Sequence, residues 1–241
     1  MAEPMNHSLR SGSGQRPLNE QPVLQVLTLR VDPAWRRLPA DARESDAAAF
    51  RTAVDRAARA VLSLPYSTIG LRADADLLFV RVAPSLALLE DTASELLRAG
   101  VGRWMTVPHA FTGLIRASRY LRKPGTQEQA LISGERGRYL IVYPFSKTAD
   151  WYRLSRETRQ GMMNEHIRVG HDFPQVRQLL AYSTGLDDQE FIVAYETDDL
   201  AAFQDLVTAL RETEARRYTL RDTPILTAVH RSVDDILALL G

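Results

Sequence analysis

The chain has no cysteine. Disulfides, thiolate metal sites and thiol nucleophiles are therefore excluded at once. It also lacks an excess of either charge: 30 Lys and Arg balance 30 Asp and Glu over 241 residues. With no basic field and no acidic tail, neither nucleic acid nor a charge-driven partner is expected. No segment approaches the ~18 consecutive apolar residues of a membrane span, so no span is expected. The first residues lack the basic, apolar, small order of a secretory signal, and the cytoplasm is the expected location. There is no Walker loop, GxGxxG, GxSxG or HExxH. Ordinary nucleotide enzymes, serine hydrolases and zinc peptidases thus have no motif here. Lysine is scarce: among the 30 basic residues only Lys123 and Lys147 are Lys.

What is present is ordinary globular material, 45% hydrophobic and 25% charged, long enough for a sizeable core. Residues 1–20, rich in Ser, Gly, Asn and Pro, read as a disordered tail. Val23 to Val31 reads as a buried strand. Ala49, Val54, Ala57, Ala58 and Val61 recur at helical steps, which predicts a helix from about Asp41 to Leu62, ended by Pro65. Ser67 to Arg72 and Leu77 to Val82 read as strands, and Pro84 opens a helix to about Arg98. Met105 to Phe111 reads as extended. Gly113 to Arg138 carries the weakest pattern and reads as a connector.

The same order then returns. Tyr139 to Phe145 is a strand, and Trp151 to about Gly170 a helix. Gln178 to Thr184 and Glu190 to Thr197 are strands around a Gly185–Asp188 turn. Asp198 caps a helix to about Arg211, Tyr218 to Val229 is extended, and Ser232 starts a short last helix. Two runs of strand, helix, two strands, helix, strand predict an α+β fold of duplicated ferredoxin-like halves. The divisions are residues 21–112, a connector at 113–137, and 138–241. Two such sheets combine into one α+β barrel with helices outside and a cavity between the sheets.

Four positions draw attention as chemistry. His166 lies late in the second-half helix, with Met162 and Met163 one turn before it and Val169 and Gly170 one turn after. It is either the axial ligand of a planar apolar cofactor or a hydrogen-bonded core histidine. Tyr143 shares a strand face with Tyr139 and Ile141. It is either a radical relay beside a redox cofactor or an aromatic core residue. Lys147 offers a cation for a carboxylate, or is a solvated loop residue. Gln178 offers an amide to a cavity, or lies on an edge strand.

Three segments carry a family resemblance. They are Tyr143-Pro-Phe-Ser-Lys147-Thr-Ala-Asp-Trp151-Tyr152; Met162-Met163-Asn-Glu-His166, leading through Phe173-Pro174 to Tyr182-Ser-Thr-Gly-Leu-Asp-Asp-Gln-Glu-Phe191; and Glu214-Ala-Arg-Arg-Tyr218-Thr-Leu-Arg-Asp-Thr223-Pro224. Looser matches lie at Asp32–Arg36 and Gly70–Asp76. In this pattern the chain resembles the chlorite dismutase superfamily. The resemblance implies a duplicated ferredoxin-like barrel, an iron porphyrin in the C-terminal half, and a homo-oligomer, pentamer or hexamer. It makes His166 the proximal iron ligand. It also brings Met163 and Trp151 into the cofactor site.

Within the superfamily, chlorite dismutases have a distal Arg and a Glu that hydrogen-bonds the proximal His. Here the distal place falls on Gln178, or on Leu179 when counted from His166, with Arg177 alongside. The Glu place falls on Ala215, beside Glu214. Coproheme decarboxylases are the better match. In that branch Tyr143 is the catalytic tyrosine, and hydrogen peroxide oxidises the iron of coproheme (iron coproporphyrin III). Two propionates are lost and haem b forms. Lys147 and Thr223 then hold propionates, with Arg136 or Arg138 as a further cation. The alternatives are a chlorite dismutase or haem peroxidase, and a non-catalytic haem-binding protein. His171 lies near enough to His166 to be a rival ligand.

Overall fold

The computed structural model describes residues 21–118, 120 and 136–241. Residues 1–20 and most of the expected connector lie outside this set. The elements fall in two matching series. The first is β1 (Val23–Val31), α1 (Ala40–Ala57), β2 (Leu62–Ser67), β3 (Leu77–Ala83), α2 (Leu86–Arg98), β4 (Met105–Thr106) and β5 (Ala110–Ile115). The second is β6 (Tyr139–Lys147), α3 (Ala149–Arg153), α4 (Arg156–His171), β7 (Arg177–Tyr182), β8 (Phe191–Thr197), α5 (Leu200–Arg211), β9 (Thr219–Arg221) and β10 (Leu226–His230). A last helix, α6 (Val233–Leu240), follows.

Every strand pairing is antiparallel, in the order β10-β2-β3-β1-β5-β7-β8-β6. Because β10 pairs with β6 as well as β2, this path closes on itself. Short β4 and β9 attach to β1 and β6, the equivalent strands of the two series. The result is a closed α+β barrel made of two ferredoxin-like halves, joined at β5–β7 and at β10–β2.

Alternation along the strands sends every second side chain inward. The inward set includes Leu24, Val26, Leu78, Val80, Leu140, Val142, Leu179, Ala181, Ile192, Ala194, Leu226 and Ala228. These residues form one continuous buried core. The expected cavity between the sheets is thus filled, for the reason that small barrels fill: eight strands leave room for side chains only. At one mouth, buried Glu196 accepts a hydrogen bond from Tyr66 Oη and faces Arg136 (3.7 Å) and Arg177 (3.5 Å). Strands of both halves meet there around one carboxylate.

The outward faces of the two half-sheets differ. On the first, α1 buries Phe50, Ala53, Val54 and Ala57 against Leu27, Leu29, Leu77 and Phe79, and α6 adds Ile236, Leu237 and Leu240. On the second, the buried cluster is smaller, Val176, Tyr195 and Leu206, with Tyr143, Phe173, Val193, Phe203 and Leu210 partly buried. Helix α4 buries none of its 16 residues.

Several sequence expectations are corrected. The α1 helix stops at Ala57, and the strand read as Ser67–Arg72 is Leu62–Ser67, with Pro65 inside it. β10 pairs β2 only at Tyr66 and Ser67, so on that side the missing N–H of Pro65 meets no ladder. β5 runs to Ile115, into the stretch read as connector. The helix expected from Trp151 to Gly170 is two helices, because Ser155 caps α4 by accepting from Thr158 N. Asp199, not Asp198, caps α5, accepting from Ala201 N and Ala202 N. Asp198 instead accepts from Arg138 N. The extended run Tyr218–Val229 is broken into a 3₁₀ turn ending at Tyr218, then β9 and β10.

Candidate functional site

The loosely covered face of the second half-sheet is where the candidate residues gather. Leu140 and Val142 point into the barrel, so Tyr143, Phe145 and Lys147 of β6 point out, toward the helices. By the same rule Gln178, Leu180 and Tyr182 of β7 and Phe191, Val193 and Tyr195 of β8 share that face. Leu180 remains 38% exposed. Tyr182, Phe191 and Phe145 form an aromatic row with ring centroids 5.6 and 6.1 Å apart. A half-exposed apolar sheet face under a helix that buries nothing is an incomplete layer.

Within it lies a crevice lined by His166, Ile167, Gly170, Val176, Gln178, Leu206 and Leu210, with a cavity volume of about 30 Å³. A Cβ built on Gly170 meets nothing within 4 Å, so there is room beside the imidazole. His166 Nδ1 is buried and has no hydrogen-bond partner among the described residues. Burial, with Lys147 nearby, pushes the imidazole down to about 4, so the ring is neutral at pH 7. A buried neutral imidazole with a vacant nitrogen is costly as core and well suited as a metal ligand. His171, the rival, is exposed in the last turn of α4.

The distal alternatives separate by strand face. Leu179 is 4% exposed inside the barrel core, whereas Gln178 faces the crevice. Arg177 turns to the opposite face, toward Glu196. Ala215 is buried, and its carbonyl accepts from Lys147 Nζ at 3.2 Å. Glu214 is exposed and pairs with Arg217. No carboxylate in the described residues bonds to His166 Nδ1.

Tyr143 lies one strand beyond the crevice. Its ring packs against that of Tyr195, with ring centroids 6.1 Å apart. Burial, Tyr195 and Asp222 together hold Tyr143 well above the ordinary phenol range. Lys147 Nζ sits over the rings of Trp151 (4.5 Å) and Phe145 (5.1 Å). Burial and the charge of Arg216 bring it down to about 8, against the pull of Glu190.

The remaining candidates are less central. Trp151 is 3% exposed and packs against Tyr218 and Tyr120, with centroids at 5.6 and 6.4 Å, so it supports Lys147 rather than lining the crevice. Met163 is half-buried on α4, outside the lining set. Thr223 is exposed on the β9–β10 loop, next to the Asp222 that acts on Tyr143. Arg136 is drawn to Glu196 at the barrel mouth and Arg138 follows it at the start of β6, so the expected second cation is not at the crevice. Arg211 and Arg216 are the cations that act on Tyr143 and Lys147.

Sequence reasoning did not find Tyr195, Val176 or Leu206. Tyr195 carried one signal, its two-residue step from Val193, but its pairing with Gln178 and its ring packing against Tyr143 are matters of register between strands.

The model of the chlorite dismutase family matches residues 43–231. A coproheme decarboxylase of Mycolicibacterium smegmatis is 33% identical over 177 residues, covering 73% of this chain and 75% of that protein. A chlorite dismutase of Ideonella dechloratans is 26% identical over 223 residues, 89% of this chain and 78% of its own. Among solved structures, chlorite dismutase from Candidatus Nitrospira defluvii in complex with imidazole superposes with a TM-score of 0.83 at 30% identity. The match covers 92% of this chain and 97% of that one.

Proposed function

This chain belongs to the chlorite dismutase family, and from that premise we propose that it is a coproheme decarboxylase, converting iron coproporphyrin III to haem b with hydrogen peroxide. The observation that carries the porphyrin site is the buried, partnerless His166 nitrogen on a helix that buries none of its residues. A flat tetrapyrrole needs α4 to stand further from the sheet than it does around this crevice. That displacement costs less than moving α1 would, because the sheet-facing side chains of α4 are only half-buried. The aromatic row and Leu180 then offer an apolar bed, and His166 an axial ligand.

Three features favour decarboxylation over chlorite chemistry. Gln178, an uncharged amide, faces the crevice, and Arg177 points away from it. Among the described residues that line the crevice no cation stands ready to hold an anionic oxidant such as chlorite. Among the described residues no carboxylate is hydrogen-bonded to either ring nitrogen of His166, so none strengthens its donation. Tyr143 lies on the same sheet face as the crevice residues, half-buried against Tyr195.

Bound iron coproporphyrin III is both substrate and source of redox chemistry, its iron accepting oxidising equivalents from peroxide. The chain's residues do the rest. His166 holds the macrocycle. Lys147 meets a propionate, exchanging its contact with the Ala215 carbonyl for a charged one. Tyr143, once it has lost its hydroxyl hydrogen and become a phenoxyl radical, takes a hydrogen atom from the propionate β-carbon and is a phenol again. The carbon radical gives up one more electron as carbon dioxide leaves and a vinyl group remains, so each round uses the two oxidising equivalents of one peroxide. Two rounds give haem b. Purified protein, iron coproporphyrin III and titrated peroxide, followed by product masses, test this. The wild type loses two carboxyl groups in sequence, and Tyr143→Phe binds the substrate but loses none. Full haem b yield from Tyr143→Phe would remove Tyr143 from the reaction. Rapid oxygen release from chlorite would move the protein to the dismutase branch.

A further inference from the structure

Glu190 has no part in the reaction as written so far. It closes the turn between β7 and β8, half-buried, and its Oε2 accepts the backbone N–H of Lys147 at 2.7 Å. Its own N–H donates to the Phe145 carbonyl at 3.1 Å. The two bonds bracket Ser146, where the register of β6 against β9 shifts. An irregularity of this kind re-aims the side chain beside it. Here that side chain is Lys147, whose ammonium lies over Trp151 and Phe145 and donates to the Ala215 carbonyl.

The first half makes the same latch without a lysine. Asp76 Oδ2 accepts the N–H of Val31 at 2.9 Å, and the Asp76 N–H donates to the Leu29 carbonyl. Val31 and Lys147 end the equivalent strands β1 and β6, and at the same spacing beyond each lies a buried tryptophan, Trp35 or Trp151. Val31 is apolar and buried. The latch and the fold therefore require no charge at this place. The lysine of the second half gives up hydration to stand there. Its bond to the Ala215 carbonyl uses one donor of an ammonium that has several, which suits it to an anionic group.

Burial and Arg216 act against the charge on Lys147, and Glu190 acts for it. Arg216 is itself paired with Asp222 at 2.7 Å. The other titratable neighbours are His166, neutral at pH 7, and Tyr152, held in its phenol form by burial and Glu190. Lys147 lies outside the crevice lining at His166.

We infer that Glu190 is the positioning residue of Lys147: its carboxylate fixes the strand end from which the ammonium reaches over the two rings, and keeps that ammonium charged for a carboxylate arm of the substrate. The substrate arm rests on the reading of Lys147 given above, and the latch does not.

The chain has two lysines, Lys123 and Lys147, so ¹⁵N labelling of lysine gives two side-chain signals, which Lys147→Met assigns. In the porphyrin-free full chain the Lys147 ammonium titrates with a midpoint of about 8. Glu190→Gln keeps an oxygen to accept the Lys147 N–H but removes the charge, and it lowers the midpoint by about one pH unit. Glu190→Asp, with its charge on the shorter arm that Asp76 uses, holds the midpoint above the Gln value. Asp76→Asn, the same change in the first half, leaves it where it was. A midpoint that stays or rises in Glu190→Gln overturns the inference, as does an equal fall in Glu190→Asp or in Asp76→Asn. His166 loses its proton well below this range and does not interfere. The wild type alone supplies a further check: the Lys147 amide resonance moves as acid protonates the carboxylate that it donates to, and a resonance that stays fixed overturns the latch.

Soret titrations with iron coproporphyrin III judge the substrate arm separately. Wild-type affinity falls as pH rises through about 8, and in Glu190→Gln the fall starts about one unit lower. A shifted ammonium titration without that matching change in affinity would leave the latch standing and move the propionates away from Lys147.

Discussion

Replacing His166 with Leu should make the porphyrin-free protein more stable while abolishing its affinity for iron porphyrin. The magnitude follows from two features of the site. His166 Nδ1 is buried without a partner, which costs about 1–3 kcal/mol relative to an apolar group of similar size. Leu also fits the helix better than His by a few tenths of a kcal/mol. At neutral pH the gain is therefore about 1–3 kcal/mol. For a chain of this length that is a rise of roughly 2–12 °C in Tm. The pH dependence adds a second signature. Burial lowers His166 from 6.5 to about 4 in the folded state. Between those values the unfolded chain binds the proton and the folded chain does not, so stability falls as pH drops from 6.5 toward 4 and then levels. The total from this group is on the order of 3 kcal/mol. His166→Leu removes that component. Urea unfolding of wild type and variant at intervals from pH 4 to 8, with ferric porphyrin titration at pH 7, measures all of it. If the Leu variant is less stable at pH 7, or keeps the wild-type slope below pH 6.5, His166 is an ordinary satisfied core residue and the ligand argument fails.

Lys147→Met removes the cation expected to meet a propionate while keeping the apolar stem over Trp151. Affinity for iron coproporphyrin III should fall about tenfold in a Soret titration, on the scale of one charged hydrogen bond, with little loss of stability; unchanged affinity would place the propionates elsewhere. The two sheet–helix layers should respond differently to truncation. Phe50→Ala, under α1, should cost about 3–5 kcal/mol in denaturant unfolding, whereas Ile167→Ala on α4 should cost less than about 1 kcal/mol in the porphyrin-free protein. Equal losses would mean that the second layer is as closed as the first.

The fold was readable where pattern is local. Val23–Val31 and Tyr139–Lys147 are β-branched and aromatic runs bounded by turn residues, and both are strands. The repeated order of elements led to the duplicated barrel because each half needs the same six-part sequence to make its sheet. Boundaries failed where a cap or an edge outranked periodicity, as at Ser155, Asp199 and Pro65. His166, Tyr143, Lys147 and Gln178 could be singled out from motif and spacing. What distinguished Gln178 from Leu179 was a single residue of register, which decides between the barrel core and the crevice. The packed barrel interior and the looseness of the layer under α4 had no sequence signature, since both depend on which faces meet after the sheet has closed.

The strand that seals the barrel, β10, follows every other barrel strand in the chain, and α6 after it completes the buried cluster under α1 with Ile236, Leu237 and Leu240. During synthesis the first half therefore keeps an apolar surface bare until α6 has left the ribosome. A stop codon in place of Ser232 would spare every residue of the crevice, yet leave a product that chaperones and proteases should treat as unfinished.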